Sequence, residues 1–244
     1  MLELDALSKS FSGRTVVSAL SFGLERGEVL GFLGQNGAGK STTMRMIAGV
    51  LEPDSGEARI LGQSILESRQ LAQAQLGYLP EGAPLYEDMT ALAFLNFLAQ
   101  AHGLPRAQRG QAVDRVIADT RIADVITQPL ATLSKGFRRR VALAGALVHD
   151  PKVLILDEPT DGLDPIQKRA VRALIAHMAP DKAIVISTHS LEEVHAMCSR
   201  VILIDKGQKV IDDTPAQLAA QYEGDLESAF FELSQSAEQR GAVG

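Results

Sequence analysis

Val29-Leu30-Gly31-Phe32-Leu33-Gly34-Gln35-Asn36-Gly37-Ala38-Gly39-Lys40-Ser41-Thr42 is an apolar run that meets a glycine-rich turn, and Ser41 to Ala48 then has helical spacing. Read as strand, loop and helix, this stretch decides the fold, because Gly34 to Ser41 fits the pattern GxxxxGK[ST]. The glycines let the backbone from Gly34 through Gln35, Asn36, Gly37, Ala38 and Gly39 curl so that its N–H groups point at phosphate oxygens, and the helix N-terminus adds partial positive charge. Lys40 then reaches the β- and γ-phosphates, the Ser41 hydroxyl is positioned to ligate Mg²⁺, and Thr42 can donate near the α-phosphate. A glycine-rich turn without a ligand is the alternative, and the flanking strand and helix argue against it. The motif names neither the nucleotide nor its purpose.

A second apolar run, Val153-Leu154-Ile155-Leu156, ends in Asp157-Glu158, at the strand end where ligands of open α/β sheets gather. Asp157 is expected to hold Mg²⁺ directly or through water, and Glu158 to accept a proton from the attacking water as general base. Either carboxylate alone would commonly just end a strand. Beside a phosphate cradle that reading loses its force.

Around these motifs the chain reads as layered α/β. It opens with short antiparallel strand segments (Leu2 to Leu4, Val16-Val17, Leu20 to Leu24), and further apolar runs at Ala183 to Ser187 and Val201 to Ile204 suit a buried parallel sheet. Helices are expected at about 165–178 and 191–197, a hairpin around Lys206-Gly207, and a capped helix start at Thr214-Pro215. From Gly82 to His149 strand runs give way to helical spacing (Leu92, Leu95, Leu98; Val113, Val116, Ile117; Val141 to Val148), which predicts a helical lobe. The boundaries expected are one domain over 1–222 with the lobe at about 82–149, and a polar tail over 223–244.

The 244 residues are enough to bury a sizeable core, and 45% hydrophobic with 22% charged residues is an ordinary globular composition. No apolar run is long enough to cross a bilayer, and Met1 to Phe11 lacks the regions of a secretory signal, so a cytoplasmic location is expected. The single Cys198 can form no internal disulfide. A net charge of −6 argues against nucleic acid as a partner, and the one basic cluster, Arg138-Arg139-Arg140, reads as a solvated or ion-paired helix face. No internal repeat and no NKxD guanine-reading motif is present. A zinc site from His189, His195 and Cys198 is conceivable, but His195 and Cys198 lie three apart on a helix and read better as packing or solvent-facing residues.

Leu133-Ser134-Lys135-Gly136-Phe137, upstream of Asp157, resembles the LSGGQ signature of the ATP-binding cassette (ABC) transporter nucleotide-binding domains. Asp161-Gly162-Leu163-Asp164 resembles that family's D-loop, His189 its switch histidine, and Gly77-Tyr78-Leu79-Pro80-Glu81 its Q-loop with Glu81 in place of Gln. The resemblance covers about residues 2–218 and implies a P-loop NTPase core with a mostly parallel sheet, an N-terminal antiparallel β subdomain and an inserted helical subdomain. It implies ATP and Mg²⁺ as ligands, with Glu81 joining Ser41 and Asp157 at the metal, and His189 bonding the γ-phosphate. It further implies that Ser134, Gly136 and Asp164 serve the nucleotide of a second copy, in a nucleotide-dependent homodimer or a heterodimer with a related cassette. Phe11 stands where the family places an aromatic that stacks on adenine; as a lone aromatic in a β segment, a core position is the other reading.

Lys135 and Phe137 depart from the usual Gly and Gln, and the set is similar to the two-component exporters of bacteria and archaea, including multidrug and gliding-motility types. The resemblance therefore implies an ATPase subunit at the cytoplasmic membrane face, working with separate transmembrane permease subunits that dock near Leu85, Tyr86, Met89 and Phe94. A non-transport ABC ATPase serving a regulatory or assembly role is the alternative. The transported substance is not encoded in a chain that lacks the membrane component.

Overall fold

Three strands explain why this sequence folds as it does. In the computed structural model, which describes residues 1–82 and 84–221, every residue of Val29–Leu33, Val153–Asp157 and Ala183–Thr188 is buried. Such strands need cover on both faces, and their side chains alternate between two cores. Leu154, Leu156, Ile184 and Ile186 enter one cluster, while Leu30, Phe32, Val153, Ile155 and Val185 enter another. Each fully buried aliphatic side chain stabilises the fold by roughly 1.5–3 kcal/mol relative to exposure.

In chain order, β1 (Leu2–Phe11) and β2 (Arg14–Leu24) form an antiparallel pair, followed by β3 (Val29–Leu33), α1 (Lys40–Ile47), β4 (Ser55–Ile60) and β5 (Gln63–Ser64). After α2 (Arg69–Gln73) and β6 (Leu76–Leu79) come three consecutive α-helices, α3 (Ala91–Ala101), α4 (Arg106–Thr120) and α5 (Lys135–Leu147). The chain then returns to strands with β7 (Val153–Asp157), α6 (Pro165–Met178), β8 (Ala183–Thr188), α7 (Leu191–Met197), β9 (Arg200–Asp205), β10 (Gln208–Asp213) and α8 (Pro215–Gln221). Among the described residues the first sheet has the order β2-β1-β4-β5 and the second β10-β9-β3-β8-β7-β6, parallel except for the β9–β10 hairpin.

The antiparallel sheet and α1 cover one face of the parallel sheet, through Leu4, Leu20, Phe22, Met44 and Ile47. Helices α3 to α6 cover the other, through Phe94, Leu95, Val116, Leu143 and Ile175. Because β3, β8 and β7 are adjacent, with Leu33 opposite Thr188 and Asp157 opposite Ser187, the loops leaving their C-terminal ends emerge side by side. That shared edge is where the candidate functional residues collect.

Several boundaries differ from the sequence expectation. The early strand segments are one long bulged hairpin rather than separate pieces, with register shifts in β1 absorbing the irregular pattern. Because Ser134 caps it by accepting from the Phe137 N–H, helix α5 begins at Lys135, six residues before the apolar spacing starts at Val141, and so includes the expected helix face Arg138-Arg139-Arg140. The tail expected over 223–244 lies outside the described residues. No described helix is long and apolar enough to cross a membrane.

Candidate functional site

Gly39 precedes α1 with φ +105, and a Cβ there would stand 2.6 Å from the Val16 carbonyl oxygen. Only glycine fits both demands. Gly34 is packed as closely, 2.5 Å from the Ile204 carbonyl by the same measure. The loop between them turns back on itself through Ala38 N–H to Gln35 O (3.1 Å), and Lys40 Nζ reaches over it to Gly34 O (2.7 Å) and Gln35 O (3.1 Å). Lys40 is only 7% exposed. Burial pulls its ammonium below the usual lysine range, opposed by the charges of Glu158, Asp157 and Glu81.

Beside this loop lies a cavity of about 460 Å³ walled by Asn36, Gly37, Gly39, Lys40, Ser41 and Thr42 from the cradle, Glu81, Glu158 and His189 from the other strand ends, and Val16, Arg139 and Asp161. Its far wall is acidic and its near wall is built of α1's first turn, an arrangement that accepts an anion on one side and a cation between. Gly34, Gln35 and Ala38 shape the loop without lining that space.

Asp157 sits beneath the wall, 1% exposed, at the last position of β7. One carboxylate oxygen accepts the Ser187 hydroxyl; the other, Oδ2, is buried with no hydrogen-bonding partner in the protein. A buried carboxylate oxygen left open beside a serine hydroxyl and a second carboxylate fits a hard, oxygen-seeking cation such as Mg²⁺. Glu158 follows in a left-handed conformation, φ +52, unfavourable for a residue with a Cβ. The turn is held by Glu158 N–H to Ser187 O (3.0 Å) and Asp161 N–H to Glu158 O (3.1 Å). It brings Glu158 Oε1 within 2.8 Å of His189 Nδ1. One imidazole nitrogen is thereby engaged with the carboxylate, leaving Nε2 as the one that can serve a ligand.

The family model described as "ABC transporter" matches residues 17–161, more than half of the chain. The chain belongs to the ABC transporter ATP-binding family. The Nod factor export ATP-binding protein I of Paraburkholderia xenovorans (strain LB400) is 38% identical over 220 residues, 90% of this chain and 72% of that protein. An ABC transporter ATP-binding protein of Bacillus subtilis (strain 168), YhcH, is 39% identical over 87% of this chain and 69% of its own. The solved structure of an ATP-binding subunit of an ABC transporter superposes with a TM-score of 0.88 at 29% identity, over 96% of this chain and 99% of that one. The protein is accordingly an ABC ATPase.

Other residues expected at the nucleotide lie elsewhere on the cassette. Ser134 caps α5, with Gly136 buried in the next turn against Gln167, and Asp164 caps α6 by accepting the Gln167 N–H at 2.8 Å. None of the three lines this chain's own pocket. Phe11 ends β1 at 46% exposed, with the Lys9 ammonium 5.7 Å from its ring, so the core reading is excluded. It too stands outside the pocket wall.

The basic cluster is the clearest departure from expectation. Arg138 does pair with Glu87 at 3.0 Å, but Arg139 and Arg140 are buried. Arg140 stacks 4.2 Å from the Phe137 ring and donates to Arg121 O, while Arg139 donates to the carbonyls of Asp157 and Glu158 and lines the pocket. Sequence reading also passed over Glu193, a 3% exposed carboxylate accepting the hydroxyls of Thr160 and Thr188, which flank Glu158 and His189. Among the described residues no group of three or more His, Cys, Asp or Glu side chains is placed to hold a metal ion.

Proposed function

We propose that this cassette hydrolyses Mg·ATP at the Glu158–His189 pair and that a second cassette closes the pocket over the terminal phosphate. The observation that carries this reading is the 2.8 Å contact between Glu158 and His189 on the rim of the cradle. Glu158 takes the proton of the attacking water, and His189, fixed by that carboxylate, presents its other nitrogen to the γ-phosphate. Lys40 and the loop amides bind the phosphates, and Thr42 assists at the α-phosphate side. Phe11, exposed at the end of β1, offers a stacking face to the adenine. When bound, Mg²⁺ neutralises phosphate charge; Ser41, Asp157 and Glu81 are the residues that would hold it.

Ser134, Gly136 and Asp164 serve the partner cassette's nucleotide, whether that partner is a second copy or a related chain. What supports this is their position away from the chain's own pocket, together with the helix N-terminus that Ser134 caps, where an anion is favoured. ATP then bridges two subunits, and hydrolysis removes the bridge and lets them part.

The subunit works at the cytoplasmic face of a membrane with separate transmembrane subunits, in export, as the name of the Nod factor relative suggests. A mostly apolar groove of about 520 Å³ between α3, α5 and the β6 edge supports the docking of such a subunit, with Pro84, Leu85, Tyr86 and Phe94 on its wall. Met89 packs against the core instead of the groove. The test of the catalytic reading is Glu158→Gln: turnover of ATP falls to a small residual rate while affinity, measured by calorimetry, is retained. Hydrolysis at the parent rate would remove Glu158 from the role of base.

A further inference from the structure

Arg139 is a buried cation for which the mechanism above has no use. It lies 5% exposed on α5, one residue from Arg138, which reaches solvent and pairs with Glu87. Taking a guanidinium out of water costs several kcal/mol unless its N–H groups are satisfied and charge lies opposite it. No carboxylate pairs with Arg139 among the described residues within ion-pair distance. Its two Nη groups instead donate to main-chain oxygens, Nη2 to both Asp157 O and Glu158 O and Nη1 to Pro80 O at 3.1 Å, while Nε is buried with no hydrogen-bonding partner. One planar fork thus joins the end of β7 to the segment after β6 that carries Glu81. Burial pulls its pKa below the usual arginine range, opposed by the charges of Asp157, Asp161, Glu158 and Glu81.

The carbonyls that Arg139 holds belong to the turn whose geometry matters most. Glu158 has φ +52, a conformation that costs an L-residue about 1–2 kcal/mol and persists only where its surroundings enforce it. On the N–H side the turn is tied to Ser187 O; on the carbonyl side Arg139 is the only side chain that grips it among the described residues. An apolar residue of similar size would fill the same space without the cost of burying a charge. The guanidinium adds a directional clamp on two consecutive carbonyls, which an apolar side chain cannot supply.

We propose that Arg139 is a positioning residue for hydrolysis: through the carbonyls of Asp157 and Glu158 it fixes the left-handed turn that aims the Glu158 carboxylate, and through Pro80 O it ties that turn to the segment bearing Glu81. This rests on Glu158 being the base, and the experiment separates the two. In the full chain, Arg139→Ala is expected to lower the single-turnover rate about 100-fold, the scale of a displacement near 1 Å at the reacting centre, with ATP affinity by calorimetry unchanged. Guanidinium ion added at low concentration restores part of that rate in Arg139→Ala and none in Glu158→Gln. In the Glu158→Gln background, Arg139→Ala causes no further loss of rate, because the group it positions is already gone.

A parent-level rate in Arg139→Ala overturns the proposal, and so does a loss of ATP affinity that accounts for the loss of rate, which would make Arg139 a phosphate contact. A further loss in the double variant overturns it equally. Should Arg139→Ala fail to fold, Arg139→Lys, which keeps the charge but not the fork, is held to the same measurements: slower hydrolysis at unchanged affinity is expected, and parent-level hydrolysis refutes the clamp. Glu158→Gln hydrolysing normally would instead sink the general-base reading, whatever Arg139 does.

Discussion

Replacing Thr188 by Val tests whether the buried Glu193 holds the end of β8, and hence His189, in place. The substitution keeps the shape of the side chain and removes only its hydroxyl. That hydroxyl donates to Glu193 Oε2 at 2.8 Å and accepts the Ser190 N–H at 3.0 Å, on either side of His189. Because Glu193 is 3% exposed, its carboxylate cannot recover the lost bond from bulk water. A hydrogen bond to a charged group contributes about 1.5–3 kcal/mol and one between neutral groups about 0.5–1.5 kcal/mol. Thr188→Val should therefore destabilise by about 2–4 kcal/mol, which for a chain of this size lowers the thermal midpoint by several degrees. Urea denaturation of parent and variant measures it, and the hydrolysis rate should fall beyond what the unfolded fraction explains, because His189 loses its anchored neighbour. A variant within about 0.5 kcal/mol of the parent, the range of an ordinary surface change, refutes the reasoning.

Other consequences follow from the same geometry. His149 stacks on His102 with ring centroids 3.6 Å apart, and burial first, then the neighbouring His102, push its pKa down to about 4. The unfolded chain takes up a proton near pH 6.5 and the folded chain only near 4, so stability falls as pH drops through that window, by at most about 3 kcal/mol. His149→Asn should flatten this acid limb in melting curves taken from pH 7 to 4, and an unchanged limb would exonerate His149. Gly39→Ala forces a side chain into φ +105 and against the Val16 carbonyl, costing about 1–3 kcal/mol in backbone strain alone. Both the melting temperature and ATP affinity should fall, and an unaffected affinity would show that the cradle tolerates a Cβ. Tyr86→Glu, at an exposed site on the groove, should abolish co-purification with a transmembrane partner while leaving ATP affinity intact; undiminished association would place docking elsewhere.

The buried strands were legible because β3, β7 and β8 are apolar on both faces, a pattern no amphipathic helix of that length shows. The cradle was legible because its glycines, Lys40 and Ser41 form a local pattern between strand and helix; the close approach of the Val16 and Ile204 backbone to Gly39 and Gly34 was not visible in it. Apolar spacing alone placed α5 only from Val141, since Lys135 to Arg140 carries charge where helical periodicity needs apolar residues; the Ser134 cap marks the earlier boundary. The same six residues hid Arg139. Nothing local distinguishes it from Arg138; its burial follows from how α5 crosses the ends of β6 and β7, which bring Pro80, Asp157 and Glu158 to one point. Glu193 escaped notice for a like reason, because Thr160 lies far away in sequence and meets it only once β7 and β8 pair.

Sedimentation of Glu158→Gln with and without Mg·ATP bears most directly on a nucleotide shared between two cassettes. The account predicts a monomer without nucleotide that becomes a stable dimer with it, and loses that dimer again when Ser134 is replaced by a bulky residue at the cap of α5. A protein that binds Mg·ATP yet stays monomeric at every concentration, alone or beside its membrane component, would contradict it.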